Sequence, residues 1–286
     1  MLNAQPLGFY SPSQLVQDLQ RHDATVRPVD VLASDWDSTL EPESNVLNAA
    51  PALRLGLRLV GGLSQEAGTR IEYARRAAPF ISIDDLATRA VLDKRDLDAL
   101  ARADALLTLA GHRREAYWQA LAAELTVNQS PHLNSGPHPD SRAATLQAAT
   151  EGHEVVQDYA STGLTLRSHP LALLRPRLAK HFTARKLEDL PDGAWARVAG
   201  IVTCRQRPGT AKGTVFVTLE DETGWINVIV WPDLVEGQRR ELLAARLLGV
   251  AGRVQREREV LHLVARRLFD HSALLGSLNT SSRNFH

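Results

Sequence analysis

The sequence predicts an α+β chain of more than one domain, a helical region followed by a small β-barrel. Three observations carry this expectation. Helix start and stop residues crowd the stretch from about 64 to 125. From Ala194 the pattern switches to short alternating strands divided by turns. A single helical stretch interrupts those strands, between the third and the fourth. The length, 286 residues, suits about two domains.

The elements follow in order. Residues 11–22, SPSQLVQDLQRH, read as a helix: Ser11 can cap it, Pro12 suits its first turn, and Leu15, Val16 and Leu19 share a face. VRPVDVL reads as a strand through Val26, Val29 and Val31. LRLGLRLV (53–60) alternates Leu or Val with other residues and reads as another. In the helical block Ser82 precedes IDDLATRAV, Asp93 precedes KRDLDALARA, and Gly111 stops LLTLA before HRREAYWQALAAEL. TVNQSPHLNSGPHPDS (126–141) has no hydrophobic period and reads as a linker or long loop. A helix with EVVQDYA follows, then GLTLRSHPLALLRPRLA. Strands are expected near 195–205, 213–220, 225–231, 247–256 and 259–268, with turns at RPGTAKG, DETG and RER and a helix near 236–245. Five strands with a helix between the third and fourth is the element order of an OB barrel.

Composition narrows the class. No apolar run reaches the roughly 18 residues of a membrane span, and MLNAQPLGFYSPSQ lacks the charged and apolar regions of a signal peptide. The one cysteine, Cys204, excludes an internal disulfide and suits a reducing cytoplasm. It alternates inward in its strand and is expected in the core. The formal net charge is zero, but residues 1–50 carry two Arg against seven Asp/Glu, a net −5. Residues 160–286 carry 19 Lys/Arg against 12 Asp/Glu, a net +7. A basic half beside an acidic one points to a polyanion partner; a solvated arginine-rich surface is the plainer alternative.

LVGGLSQEAGTRI (59–71) is the sharpest local pattern. Gly62, Leu63 and Ser64 would form a hairpin, with Gly68 at a small position and Ile71 at an aliphatic one in the helix that follows. This resembles the helix-hairpin-helix motif. Glycine permits the tight turn, and the free N–H groups of a helix start can hold a DNA phosphate. Such contacts position a protein without reading sequence. A glycine turn capping an ordinary helix is the alternative. A second hairpin, at Ala103-Asp104, carries an acid that would repel phosphate and reads as structural.

In the barrel, Val215, Val217 and Leu219 share one strand face and Ile226, Val228 and Val230 another, so Phe216, Trp225, Asn227 and Trp231 are expected outside. Val198, Gly200, Val202 and Cys204 alternate with Thr203, Arg205 and Arg207, which places both arginines outside too. With Lys212 in the following turn, these are the rings and cations that single-strand binding uses, rings for bases and guanidinium groups for phosphates. Packing of Trp225 and Trp231 against a protein neighbour is the alternative.

Nothing else in the chain has a catalytic signature. GxxxxGK[ST] and GxGxxG are absent, and the ten histidines have no metal-ligand spacing. ASDWDST (33–39) puts Asp35 and Asp37 on one face of an extended chain, a possible Mg²⁺ pair. No third acid accompanies them, so a structural role with Trp36 as a core anchor is expected.

AGIVTCRQRPGTAKGTVFVTLEDETGWINVIVWP (199–232) is similar to the OB region of bacterial error-prone DNA polymerases, C-family relatives of the replicative polymerase III alpha subunit. LNAQPLGFYSPSQLVQDLQRH, VRPVDVLASDWDSTLE, LRLGLRLVGGLSQEAG, DYASTGLTLRSHPLALLR and VQREREVLHLVARRL agree in the same order. The resemblance implies a C-terminal portion, with the PHP domain, the palm and most of the fingers upstream of Met1. It divides the chain into the end of the fingers (1–50), a helix-hairpin-helix domain (51–125), a linker (126–152), connecting helices (153–190), an OB-fold domain (191–270) and a tail (271–286). It implies single-stranded template on the OB domain and duplex backbone on the hairpin. It also implies DNA repair and lesion-bypass synthesis in the whole protein, and Mg²⁺ there but no cofactor or catalytic residue in this segment. The sliding clamp or another mutagenesis factor is a candidate partner, a membrane is not, and a standalone DNA-binding accessory is the alternative reading.

Overall fold

The chain begins with a reciprocal cap. Ser11 Oγ accepts from the Gln14 N–H at 3.3 Å, and the Gln14 side chain accepts from the Ser11 N–H at 3.0 Å. This starts α1 (Pro12–Arg21) where the sequence places it. The structure is a computed structural model that describes residues 1–6, 10–42, 50–127, 149–257, 260–278 and 283–285. It forms two compact units, Met1–Leu166 and Arg167–His286.

In the first unit a three-stranded sheet joins β1 (Val26–Arg27), β2 (Thr39–Glu41) and β3 (Ala52–Arg54). The middle strand, β3, runs parallel to β1 and antiparallel to β2. Both strands expected here are shorter than their alternation suggests. β1 stops at Pro28, which has no N–H for a ladder. The 53–60 run leaves the sheet after Arg54 and coils into a 3-10 turn at Leu57–Leu59. At Gly56 the chain crosses residues 36–38 so closely that a Cβ would stand 2.4 Å from the Asp37 carbonyl carbon.

Five helices follow: α2 (Gln65–Ala77), α3 (Ile83–Arg89), α4 (Lys94–Arg102), α5 (Leu107–Ala110) and α6 (Arg113–Val127). Ser64, Ser82 and Asp93 cap α2, α3 and α4 through side-chain oxygens, and Gly111, at φ 82°, ends α5. Then comes α7 (Glu151–Ser161). Most of the expected linker, 128–148, lies outside the described residues; its ends finish α6 and start α7.

The unit has one core, not the separate 1–50 and 51–125 domains drawn from the sequence. Val16 and Val31 pack with Leu57, Ile71, Leu86 and Leu100. It also takes in α7, which the sequence groups with the connecting helices. Arg113, only 8% exposed, reaches Glu154 at 2.6 Å and pairs with Asp158. A buried guanidinium without those carboxylates would be costly, so α6 holds α7 and the division falls after Leu166.

Asp35 and Asp37 do not form a joint site. Asp35 pairs with Arg75 at 2.6 Å and Asp37 with Arg58 at 3.1 Å. Trp36 lies between them, its N–H on Glu72 at 2.6 Å and its ring against α2. The ring is close enough that a Cβ on Gly68 would sit 2.5 Å from Trp36 Cε3. Gly68 thus receives the indole. No cluster of potential metal ligands occurs among the described residues.

The second unit opens with α8 (Pro170–Leu174) and α9 (Ala184–Glu188). The barrel strands are β4 (Trp195–Gln206), β5 (Val215–Asp221), β6 (Gly224–Val230), β7 (Leu247–Glu257) and β8 (Val260–Asp270). Two short helices, α10 (Pro232–Gly237) and α11 (Arg239–Ala244), stand where one is expected. The sheet order is β5-β6-β8-β7-β4, and β4 also pairs with β5, closing a five-stranded barrel. A further strand, β9 (Arg283–Phe285), lies parallel on Cys204–Gln206, within what the sequence reads as a tail. Val198, Val217, Leu219, Ile226, Val228 and Leu263 fill the interior.

We predict that Gly68→Ala destabilises the first unit. At an unhindered helix site the change would gain about 1 kcal/mol. Here overpacking against the indole should reverse the sign and cost about 1–3 kcal/mol. Urea unfolding followed by tryptophan fluorescence measures it, and a stabilised variant would refute the wedge.

Candidate nucleic-acid interface

The wall built by β5, β6 and the far half of β4 carries most of the expected barrel residues. Register places them in cross-strand rows. Gln206, Phe216 and Ile229 form one row; Cys204, Thr218 and Asn227 form the next, which β8 extends with His262. Trp225 lies one row further, opposite Glu220. Phe216 is 37% exposed, Trp225 41% and Trp231 49%, so each presents a ring to solvent, as expected. Trp231 leaves the end of β6 as the residue before α10. There Gly213 brings the loop and helix together: its Cβ position lies 3.6 Å from both Arg207 Nη2 and Pro232 Cγ. Lys212 turns that loop in the left-handed region, φ 48°, and is exposed. Arg207, Lys212, Phe216, Asn227, Trp225 and Trp231 therefore share one wall and its loop.

Arg205 does not belong to it. It is 5% exposed and donates through Nε to the Leu242 carbonyl at 2.7 Å and through Nη2 to that of Ala245. The cause is a β-bulge: Val202 pairs with Leu219, but Cys204 pairs with Thr218. The extra residue reverses the alternation, so Arg205 faces inward with Val217. Cys204 turns out to the half-buried face rather than into the core. Burial pulls Arg205 below the ordinary arginine range. Its guanidinium closes the end of α11, whose last carbonyls have no partner within the helix.

Around the hairpin, Gly62 takes φ 93°, the conformation that calls for glycine. The Gly61 N–H donates to Ser161 O at 2.7 Å and that of Leu63 to Val60 O at 3.2 Å, while the Leu63 side chain is buried. Ser64 caps α2, its hydroxyl accepting from the Ala67 N–H at 3.1 Å. Glu66, which has no place in the motif as the sequence presents it, folds back on the helix start. Its own N–H and the Ser64 hydroxyl hold its carboxyl below the usual carboxylate range. A negative group thus occupies part of the ground a phosphate would use. The sequence does carry a signal for it: an acidic residue in the first turn is the ordinary companion of a helix dipole. Asp104, at the second hairpin, faces Arg113 at 3.6 Å, the structural role expected of it.

Behind the barrel strands lies a histidine pair. His181 meets His271 edge to face, ring centroids 5.3 Å apart. Burial, then His271, Arg197 and Arg175, pushes the His181 imidazole down to about 4, against a bond to Leu178; burial and Arg197 also lower His271, against Asp270.

The fold is thus a helical helix-hairpin-helix region followed by a five-stranded OB barrel. Residues 23–116 match the family model described as helix-hairpin-helix motif, and residues 196–270 that described as OB-fold nucleic acid binding domain. Along all of its length the chain is similar to error-prone DNA polymerases, as the sequence resemblance implied. It is 54% identical over 288 residues to that of Ralstonia nicotianae and 51% identical over 302 residues to that of Methylococcus capsulatus. Those alignments take in 100% of this chain but 27% and 28% of the two relatives, so the chain spans about a quarter of their length. Among solved structures, asparaginyl-tRNA synthetase from Pyrococcus horikoshii aligns with 32% of this chain and 22% of its own at 21% identity and a TM-score of 0.28. No helix among the described residues is long and apolar enough to cross a membrane.

Two outcomes follow from this geometry. Arg205→Met should cost about 1.5–3 kcal/mol in chemical denaturation, because carbonyls bonded to a charged donor lose it. Arg207→Ala, on the surface, should stay within about 0.5 kcal/mol. The histidine has a signed pH effect. An unfolded imidazole protonates near 6.5 and folded His181 only near 4. Between those values the unfolded state binds the extra proton, so stability is full above about 6.5 and declines as pH falls toward 4. His181→Gln should flatten the melting temperature across that window; equal decline in parent and variant would exclude His181 as the cause.

Proposed function

We propose that this chain is the DNA-binding C-terminal portion of an error-prone DNA polymerase. The observation that carries the reading is the 54% identity that extends over 100% of the chain. The barrel wall supplies the means. Phe216, Trp225 and Trp231 offer rings on which bases stack whatever their identity. Arg207 offers a planar fork for phosphate oxygens, and Lys212 a mobile point charge. This wall takes the single-stranded template. The turn at Gly62–Ser64 approaches the duplex backbone, where, among the described residues, no backbone carbonyl takes the N–H groups of Gly62 and Ser64.

Neither surface reads sequence, which suits a protein that must follow any template, damaged templates included. Template-directed nucleotidyl transfer, with its Mg²⁺ and its place in repair and translesion synthesis, belongs to the whole polymerase in the cytoplasm. In this reading the palm lies outside this chain, and the chain grips DNA without extending it.

Purified 1–286, titrated with labelled single strands and duplex at two salt concentrations, tests the grip. Single-strand affinity should fall steeply with salt. Phe216→Ala combined with Arg207→Ala should weaken it roughly 5- to 150-fold, about 1–3 kcal/mol for the loss of one stacked base. Unchanged affinity would remove the wall from the interface. Primer extension with Mg²⁺ and dNTPs should give no product; robust incorporation would overturn the division of labour.

A further inference from the structure

The opposite wall of the barrel is also lined by cations and rings. In the closed ring of strands, β7 lies between β8 and β4, across the barrel from β5 and β6. Trp195 on β4 pairs with Arg253 on β7, which pairs with Val264 on β8. One row along, Arg197 pairs with Ala251 and Ala251 with Arg267. The next row holds Gly249 and Phe269. Opposed residues share a face, and Trp195, Arg253 and Arg267 are exposed, so this is the outer surface.

Its arginines stack on its rings. The Arg253 guanidinium lies 5.7 Å from the centre of Trp195, and Phe269 has Arg197 at 4.4 Å and Arg267 at 5.2 Å. Among the described residues none of these three arginines pairs with a carboxylate. The acids on the same strands, Glu257 and Asp270, sit at strand ends, and Asp270 accepts from the Ser272 N–H at 2.9 Å. A guanidinium stacked on a ring is oriented by the stack and keeps its N–H edge for another acceptor. Trp195, 57% exposed, has ring surface beyond what Arg253 covers.

We propose that the β4–β7–β8 wall is a second track for single-stranded DNA, with Arg253 and Arg267 on phosphates and Trp195 against a base. The strand would pass from the Phe216 wall around the barrel to this one. Charge selects the occupant: an uncompensated row of arginines fits a polyanion, and an exposed indole beside them fits unpaired bases rather than duplex. The inference rests on the nucleic-acid reading above and extends the footprint to both sides of one barrel.

The test uses the full chain and a labelled strand of about 30 nucleotides, longer than the about 4–16 that one OB fold covers. Three variants are compared with the parent: Arg253→Gln with Arg267→Gln, Trp195→Ala, and Phe216→Ala with Arg207→Ala. Melting curves identify any variant that fails to fold. The arginine pair should make the log–log salt slope shallower by about 1.4, at about 0.7 for each single-strand phosphate that the protein no longer neutralises, and Trp195→Ala should weaken binding. If both keep the parent's affinity and slope while the Phe216 variant loses them, the second track is wrong and the first reading stands. If the parent does not bind the strand, both readings fall. If polyglutamate displaces the strand as readily as unlabelled DNA and Trp195→Ala has no effect, the wall is a seat for an acidic protein and the proposal is overturned.

Discussion

The barrel depends on one strand changing the face it buries. Up to Ile201, β4 pairs with β7; from Ile201 onward it pairs with β5. A regular strand could not do both and keep its apolar residues inside. The bulge between Val202 and Cys204 resolves this by adding a residue at the corner. Two glycines permit the tight coil. A Cβ on Gly200 would stand 2.7 Å from the Leu219 Cβ, and one on Gly252, at the second bulge, 2.1 Å from the Val264 carbonyl oxygen. The reversal that moves Cys204 outward brings Arg205 in beneath α11. The same event therefore closes the barrel, satisfies the helix end and clears the outer wall around Phe216.

How far the sequence reveals this depends on the range of the forces involved. Helix caps are local, three residues apart, and Ser11, Ser82 and Asp93 are all legible. The alternation of β5 and β6 is local as well, so Phe216, Trp225 and Asn227 are placed correctly from period alone. A bulge leaves no such trace. CRQRP reads as a continuing strand, and Arg205 fails because one added residue inverts the faces of Cys204, Arg205 and Gln206, whereas Arg207 lies past the strand's end and is exposed. Domain grouping fails for a different reason. α7 joins the first unit through Arg113 and carboxylates more than 40 positions away, and no local pattern announces that. Asp35 and Asp37 show the converse: their spacing suggests a metal pair, but each answers to its own arginine.

Those pairings also bear on how a chain of zero net charge can present a positive face. In the first unit Arg58, Arg75, Arg89, Arg102 and Arg113 each meet a carboxylate within 4 Å, so much of the positive charge is cancelled where it stands. In the second unit Arg175 pairs with Glu222 at 2.6 Å and reaches Asp221 at 3.5 Å, but other arginines are used differently. Arg205, Arg246 and Arg256 bond backbone carbonyls. A carbonyl satisfies the donors but does not neutralise the ion. Arg197, Arg253 and Arg267 lie on rings, which also leaves the charge standing. These arginines thus add to the unit's positive field even where they hold it together. Net charge over the whole chain averages an acidic first unit, 14 Lys/Arg against 21 Asp/Glu, with a basic second unit, 19 against 12, so the zero hides a positive field on the second.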